Sequence, residues 1–235
     1  MQDTELKQEY VDHVFHQVAT RYDVMNDAMS FGLHRLWKRH AIALLKLRPG
    51  MSVLDLAGGT GDLATLIHPL IQPTGPLVLG DINASMLKVG RDRLLDSGIL
   101  NNIFVIQLNA EMLPFTHTFD CITIAFGLRN VPHKEIALKS MHQALKPGGK
   151  LLILEFSHPT LPVFKQGYDF YSFNIIPKLG KWIAQDEASY QYLVASIRKH
   201  PTQPQLCQLM QNAGFSDCRY DNLMGGIVAI HQGIA

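Results

Sequence analysis

Cysteine is scarce: only Cys121, Cys207 and Cys218 occur among 235 residues. They are odd in number, far apart and form no C-x-x-C pair. That excludes a dense disulfide framework and points to reduced, buried thiols in a reducing compartment. Charge is also sparse, at 17% of residues, and the formal net charge is +1. Such a chain lacks the positive field that a polyanion needs, so no nucleic-acid partner is expected. No apolar run approaches the ~18 residues of a membrane-spanning helix. The opening residues, MQDTELKQEY, are polar and acidic. They resemble neither a secretory signal nor an Arg-rich, acid-poor transit peptide, so a cytoplasmic location is expected. Repeats and low-complexity linkers are missing. The 11 histidines are scattered without metal-ligand spacing, so no metal site is expected.

What the chain has is a 47% hydrophobic composition and a regular alternation of strand and helix signals. Apolar residues recur at three and four spacing through Val11, Val14, Phe15 and Val18, and again from Leu36 to Leu47, which predicts helices before Arg48-Pro49-Gly50. Strands are predicted at 51–57, 77–80, 103–107, 119–125 and 150–156. Helices are predicted at 62–71, 85–96 and 134–145, with Lys146-Pro147-Gly148-Gly149 as a turn. This alternation implies an α/β fold with a mostly parallel sheet covered on both faces. A helix at 203–213 and strands at 215–220 and 226–231 predict an antiparallel finish. One domain, 1–235, is expected. Its parts are a helical cap (1–48), a cofactor-binding core (49–158), an aromatic lid (159–200) and a C-terminal helix with a strand pair (201–235).

The sharpest local feature is Val53-Leu54-Asp55-Leu56-Ala57-Gly58-Gly59-Thr60-Gly61-Asp62. An apolar strand enters a glycine turn, then a helix. Glycines such as Gly58 let backbone approach a ligand closely. Gly59-x-Gly61-x-x-Ala64, with Asp81 about twenty residues on, fits a dinucleotide. It also fits S-adenosylmethionine, whose ribose Asp81 would bind in the same way. The sign of charge favours the second. Asp55 and Asp62 flank the loop, repel a pyrophosphate and attract an ammonium and a sulfonium. Asn109-Ala110 follows the third strand, where an adenine would lie; an Asn amide can donate and accept towards a base edge.

Several longer stretches carry a resemblance. They are Tyr22-Asp23-Val24-Met25-Asn26-Asp27-Ala28-Met29-Ser30-Phe31-Gly32-Leu33-His34-Arg35-Leu36-Trp37 and Thr123-Ile124-Ala125-Phe126-Gly127-Leu128-Arg129-Asn130. Further along come Leu145-Lys146-Pro147-Gly148-Gly149-Lys150-Leu151-Leu152-Ile153-Leu154-Glu155-Phe156-Ser157, Tyr168-Asp169-Phe170-Tyr171-Ser172-Phe173 and Ser196-Ile197-Arg198-Lys199-His200-Pro201. Together they resemble the ubiquinone/menaquinone biosynthesis C-methyltransferase family nearly end to end. The resemblance implies a Rossmann-like class I methyltransferase fold: a seven-stranded sheet, an antiparallel last strand and added helices over the active site. It implies S-adenosylmethionine as cofactor, with contacts at Thr60, Asp81, Asn109 and Ala110. It implies C-methylation of a prenylated quinol, either 2-polyprenyl-6-methoxy-1,4-benzoquinol or demethylmenaquinol; both rings share the same electronics. Two positions depart from the pattern. Ala125 stands where many relatives carry Ser, so no hydroxyl contact survives there. Ala144-Leu145 replaces the usual Arg-Val.

For the acceptor site, Arg129-Asn130 lies just past strand four, the strand end that should face the transferring methyl group. Arg129 is expected to stabilise a phenolate and hold a water that takes the proton. Tyr22 is the second catalytic candidate, with Asp23 and His34 beside it; each could act on quinol hydroxyls or simply cap and pack. The aromatics of 163–182 suit a prenyl tail or just the lid's own packing. Transient contact with a membrane surface is expected, peripheral to the inner face and without a spanning helix. A homodimer or a quinone-synthesis complex is the expected assembly. The competing readings are a methyltransferase for another phenolic or sterol acceptor, a cofactor-binding scaffold and an NAD-dependent oxidoreductase.

Overall fold

The computed structural model describes residue 30, residues 32–160 and residues 187–235. The elements are α1 (Leu33–Leu45), β1 (Val53–Leu56), α2 (Asp62–Ile71), β2 (Leu77–Asp81), α3 (Ala84–Asp96), β3 (Ile103–Gln107) and β4 (Phe119–Ala125). After a 3-10 turn at Leu128–Asn130 come α4 (Lys134–Ala144), β5 (Leu145–Phe156), α5 (Glu187–Lys199), α6 (Gln203–Asn212), β6 (Ser216–Leu223) and β7 (Val228–Ile234). The expected cap is represented by α1 and residues close to it. The expected lid is represented by residues 159–160 and α5. Most of both lies outside the described residues, as do Tyr22, Asp23 and the aromatics of 163–182.

The seven strands form one sheet in the order β3-β2-β1-β4-β5-β7-β6. Pairing is parallel from β3 to β5, and β7 runs antiparallel between β5 and β6. The central strand β1 is buried along its whole length, as a strand covered on both faces must be. One face packs on α1, α2 and α3 through Ala41, Ile42, Leu45, Leu63, Ile67, Leu87 and Leu94. The other packs on α4 and α6 through Ala137, Leu138, Met141, Leu206 and Met210. In α1 the buried residues are His34, Lys38, Ala41, Ile42 and Leu45, one helical stripe with two polar members.

One boundary differs from the sequence reading. Lys146-Pro147-Gly148-Gly149 is not a turn ahead of the strand; it lies within β5. Phe119 pairs with Leu145 and Cys121 with Lys150, so β5 absorbs the extra residues as a bulge. Gly148, at φ 78°, donates its N–H to Ala235 O at 2.7 Å, and Ala235 N–H returns to Gly149 O at 2.9 Å. On the β4 side only the flanking Leu145 and Lys150 pair, so the bonds to Ala235 keep Gly148 and Gly149 in the ladder.

Strand order reverses between β1 and β4. Their carboxyl ends therefore splay their following loops apart and leave a crevice, the place where open α/β sheets take ligands.

Candidate active site

That crevice is a cleft of about 1050 Å³, open mouth included. The loop 57–61 forms its floor. A Cβ on Gly58 would meet Leu79 Cδ1 at 2.3 Å and Asp55 Oδ2 at 2.8 Å, so only glycine fits there. A Cβ on Gly90 would meet Gly59 O at 2.6 Å, so α3 lies directly against the loop's backbone. Gly90 was not singled out from the sequence, although an isolated helix glycine is a signal for such contact. Asp81, at the end of β2, ties the floor together. Its Oδ2 accepts Gly59 N–H and its Oδ1 accepts Asn83 N–H, both at 2.9 Å. Asn83 in turn caps α3, its Oδ1 accepting from Ser85 and Met86 N–H at 3.0 Å.

The acids of the loop are not alike. Asp55 is 1% exposed. Its Oδ1 accepts from Thr123 Oγ1 at 2.8 Å, while Oδ2 has no hydrogen-bond donor among the described residues. Burial pushes its pKa up to about 7, against the hydrogen bond from Thr123 and the charge of Lys38. Asp62 is the opposite case. Lys38 Nζ donates to its Oδ2 at 2.8 Å and Arg93 to its Oδ1 at 2.9 Å. Burial works against its charge, but Lys38 and Arg93 outweigh it and hold its pKa below the usual carboxylate range. Arg93 also donates to Thr60 Oγ1 at 3.3 Å. The sign argument therefore needs correcting: Asp62 is already neutralised by two cations, and Asp55 carries only part of a charge at neutral pH. Neither Lys38 nor Arg93 was recognised from the sequence.

Gly58, Thr60, Asp81, Asn109 and Ala110 all line this one cleft. Asn109 Oδ1 accepts Glu111 N–H at 2.9 Å, so its carbonyl caps its own loop. Ala125 also lines the cleft and offers no side-chain polar atom.

Arg129 does not line the cleft; Gly127 and Asn130 on either side of it do. Its guanidinium turns inward, against expectation. It donates to Glu155 Oε1 at 2.9 Å and to Phe126 O, and lies 5.6 Å from the Phe156 ring centroid. Its backbone N–H donates to Glu155 Oε2 at 3.1 Å. The pair is deeply buried, with side chains 5% and 1% exposed. A buried carboxylate within an apolar strand captures the nearest cation, so Arg129 anchors the 3-10 turn instead of presenting a free charge. Asn130 is what that turn presents. Its Oδ1 accepts from Tyr192 OH of α5 at 3.1 Å. His34, the third N-terminal candidate, is buried with Nδ1 at 2.8 Å from Ser30 Oγ.

Beyond the pair sit two buried histidines that sequence reasoning passed over. Burial, then the charges of Lys134 and Arg129, push His200 down to about 3. Burial pushes His231 down to about 4, and its Nε2 lies 3.1 Å from Gln203 O. Both stay neutral in the folded protein and would be protonated near 6.5 once unfolded. Their stabilising contribution is complete above about pH 6.5 and is lost as pH falls towards 4 and below. Asp55 acts in the reverse sense: its raised pKa favours the fold at low pH and costs stability as pH rises through 7. Between pH 4 and 6.5 two protons are gained on unfolding and one is lost. Stability should therefore fall by roughly 1 kcal/mol per pH unit on acidification. Urea unfolding across this range checks it; replacing His200 with Gln should nearly flatten the slope, and a flat wild-type profile would refute the assignment.

Among the described residues no His, Cys, Asp and Glu group is arranged to hold a metal, and no helix is long and apolar enough to cross a membrane.

A family model described as the ubiE/COQ5 methyltransferase family matches residues 3–235. The ubiquinone/menaquinone biosynthesis C-methyltransferase UbiE of Legionella pneumophila (strain Paris) is 58% identical over 226 residues, 96% of this chain and 90% of that protein. Its namesake from Teredinibacter turnerae is 57% identical over 228 residues, 97% of this chain and 92% of that protein. Among solved structures, a SAM-dependent methyltransferase from Aquifex aeolicus matches with TM-score 0.62 at 15% identity, over 84% of this chain and 88% of that one. The [4+2]-cyclase SpnF matches with TM-score 0.70 at 12% identity, over 95% of this chain and 94% of that one. These structural likenesses establish the class I fold alone, since one fold carries several chemistries.

Proposed function

The chain belongs to the ubiE/COQ5 methyltransferase family, and from that membership we propose that it methylates a ring carbon of a prenylated quinol in ubiquinone and menaquinone biosynthesis, using S-adenosylmethionine. The observation that carries the reading is near-full-length identity to curated C-methyltransferases, joined to a cleft whose residues suit that cofactor. The fit is physical: Asp55 Oδ2 lies buried with no donor among the described residues, and Gly58, Thr60, Asp81, Asn109 and Ala110 line one cleft. Asp81 would hold the ribose, Asn109 and Ala110 the adenine edge, and Gly58 and Thr60 the loop against the cofactor. When bound, the cofactor supplies a methyl group already activated as a sulfonium.

The protein's remaining task is to make a ring carbon nucleophilic and align it. A quinol does this by losing a phenolic proton to water at the cleft mouth, which moves electron density to the ortho carbon; once methylated, that carbon sheds its own hydrogen as a proton, the phenolate is reprotonated and the ring is aromatic again. The residues of the cleft must hold the resulting oxyanion and keep water out. Asn130 suits the first role. Tyr192 occupies its carbonyl, which leaves both amide N–H groups to donate. Arg129 and Glu155 support it from behind by fixing the turn, and Tyr22 is a second group proposed to act on the quinol hydroxyls. Replacing Asn130 with Ala should lower kcat about a hundredfold, the usual loss for one oxyanion donor, with cofactor affinity unchanged by calorimetry. Unchanged kcat would remove Asn130 from the mechanism. A prenyl tail partitions into lipid, so the enzyme is proposed to work in transient contact with a membrane surface, as a homodimer or within a quinone-synthesis complex.

The defining experiment supplies methyl-labelled S-adenosylmethionine with reduced short-tailed demethylmenaquinol and 6-methoxybenzoquinol. Label on a ring carbon is expected, and the faster acceptor assigns the headgroup. Label on oxygen, or on neither acceptor, would overturn the reading.

A further inference from the structure

Lys38 is a cation placed where a folded chain seldom leaves one. It belongs to the buried stripe of α1, its side chain is 9% exposed, and it lines the same cleft as Gly58, Thr60 and Asp81. An ammonium carries three donors. Among the described residues its only hydrogen-bond partner is Asp62 Oδ2, at 2.8 Å, so two N–H groups have no acceptor among them. On the wall of the cleft those donors are open to a ligand. Asp62 does not belong to Lys38 alone, because Arg93 occupies its other oxygen at 2.9 Å.

We propose that Lys38 binds the carboxylate of the methionine end of S-adenosylmethionine, an inference that rests on the methyltransferase reading above. The amino-acid end is a zwitterion, and the cleft is lined by a group of opposite sign for each charge. Asp55 Oδ2, buried and with no donor among the described residues, suits the ammonium. Lys38, with its unused donors, suits the carboxylate. The two lie within electrostatic reach, since the charge of Lys38 acts on Asp55 and partly offsets the effect of its burial. The pairing also gives α1 a reason to carry a lysine in its buried stripe.

A merely structural lysine would act only by tying α1 to α2 through Asp62. Three probes separate the two roles by titration calorimetry: S-adenosylhomocysteine, its decarboxylated analogue, which keeps the ammonium, and 5′-methylthioadenosine, which lacks the amino-acid end. Lys38→Met should weaken S-adenosylhomocysteine about 10- to 100-fold, as for one charge-assisted contact, and leave the other two within about twofold. Lys38→Gln keeps a donor and most of the volume; it should fold where Met fails and show the same selectivity at smaller size. Equal weakening of all three probes, or no weakening of S-adenosylhomocysteine, would overturn the proposal. A wild-type protein that binds none of the three would instead sink the methyltransferase reading itself.

Discussion

Replacing Asp81 with Asn should weaken S-adenosylhomocysteine binding by about two orders of magnitude. The carboxylate spends one lone pair on Gly59 N–H and one on Asn83 N–H. A carboxylate has about four acceptor sites, so the proposed ribose hydroxyls can share the same two oxygens. Asparagine keeps one oxygen and sets an NH₂ where the other accepted. One of the two backbone N–H groups then faces a donor. That costs roughly 1–3 kcal/mol of stability and loosens either the loop or the start of α3. Charge-assisted contacts with the ribose, worth about 1.5–3 kcal/mol each, are lost or become neutral ones. The combined loss of about 3 kcal/mol in affinity is roughly a hundredfold in Kd. Calorimetry measures Kd, and thermal unfolding without ligand measures the structural share. Wild-type affinity in a destabilised Asn variant would make Asp81 a strut of the loop with no part in binding.

The parts legible in the sequence were the local ones. Helix 62–71 and strands 103–107 and 119–125 have the bounds read from pattern, because glycines, prolines and caps mark their ends. Gly58 and Asp81 were legible for the same reason: one sits in a glycine run just after a strand, the other closes the next strand. At Lys146-Pro147-Gly148-Gly149 local chemistry misled. The residues are turn formers, yet the β4 pairs of Leu145 and Lys150 on either side and the bonds to Ala235 hold them inside a strand.

Charges resisted reading because their state depends on partners distant in sequence. Asp62 looked available until Lys38 reached it from α1 and Arg93 from α3. Arg129 looked available until the β4–β5 register placed Glu155 beside it. Glu155 itself gave a usable signal, an acid in the otherwise apolar run from Leu151 to Phe156, since a charge in a doubly covered strand must find a partner. His200 and His231 gave none, because their burial comes from the packing of β7, α6 and the end of α5.

Breaking the Arg129–Glu155 pair should be the most damaging single change in the described part of the chain. In Arg129→Met, Glu155 keeps the N–H groups of Arg129 and Phe156 but loses, at 1% exposure, its only ion-pair partner among the described residues. An uncompensated charge at such a site costs about 3–5 kcal/mol, a large share of the total stability of a domain this size. Glu155→Gln leaves the guanidinium without its counter-charge and should cost a similar amount. The double variant Arg129→Met/Glu155→Leu removes both charges and should regain most of the stability. It should not regain activity, because the 3-10 turn that sets Asn130 in the cleft wall depends on both bonds to Glu155. Stability restored without activity would show that the pair serves the position of Asn130. Restoration of both would mean that packing alone sets the turn, and losses below about 1 kcal/mol in either single variant would show that water reaches the pair.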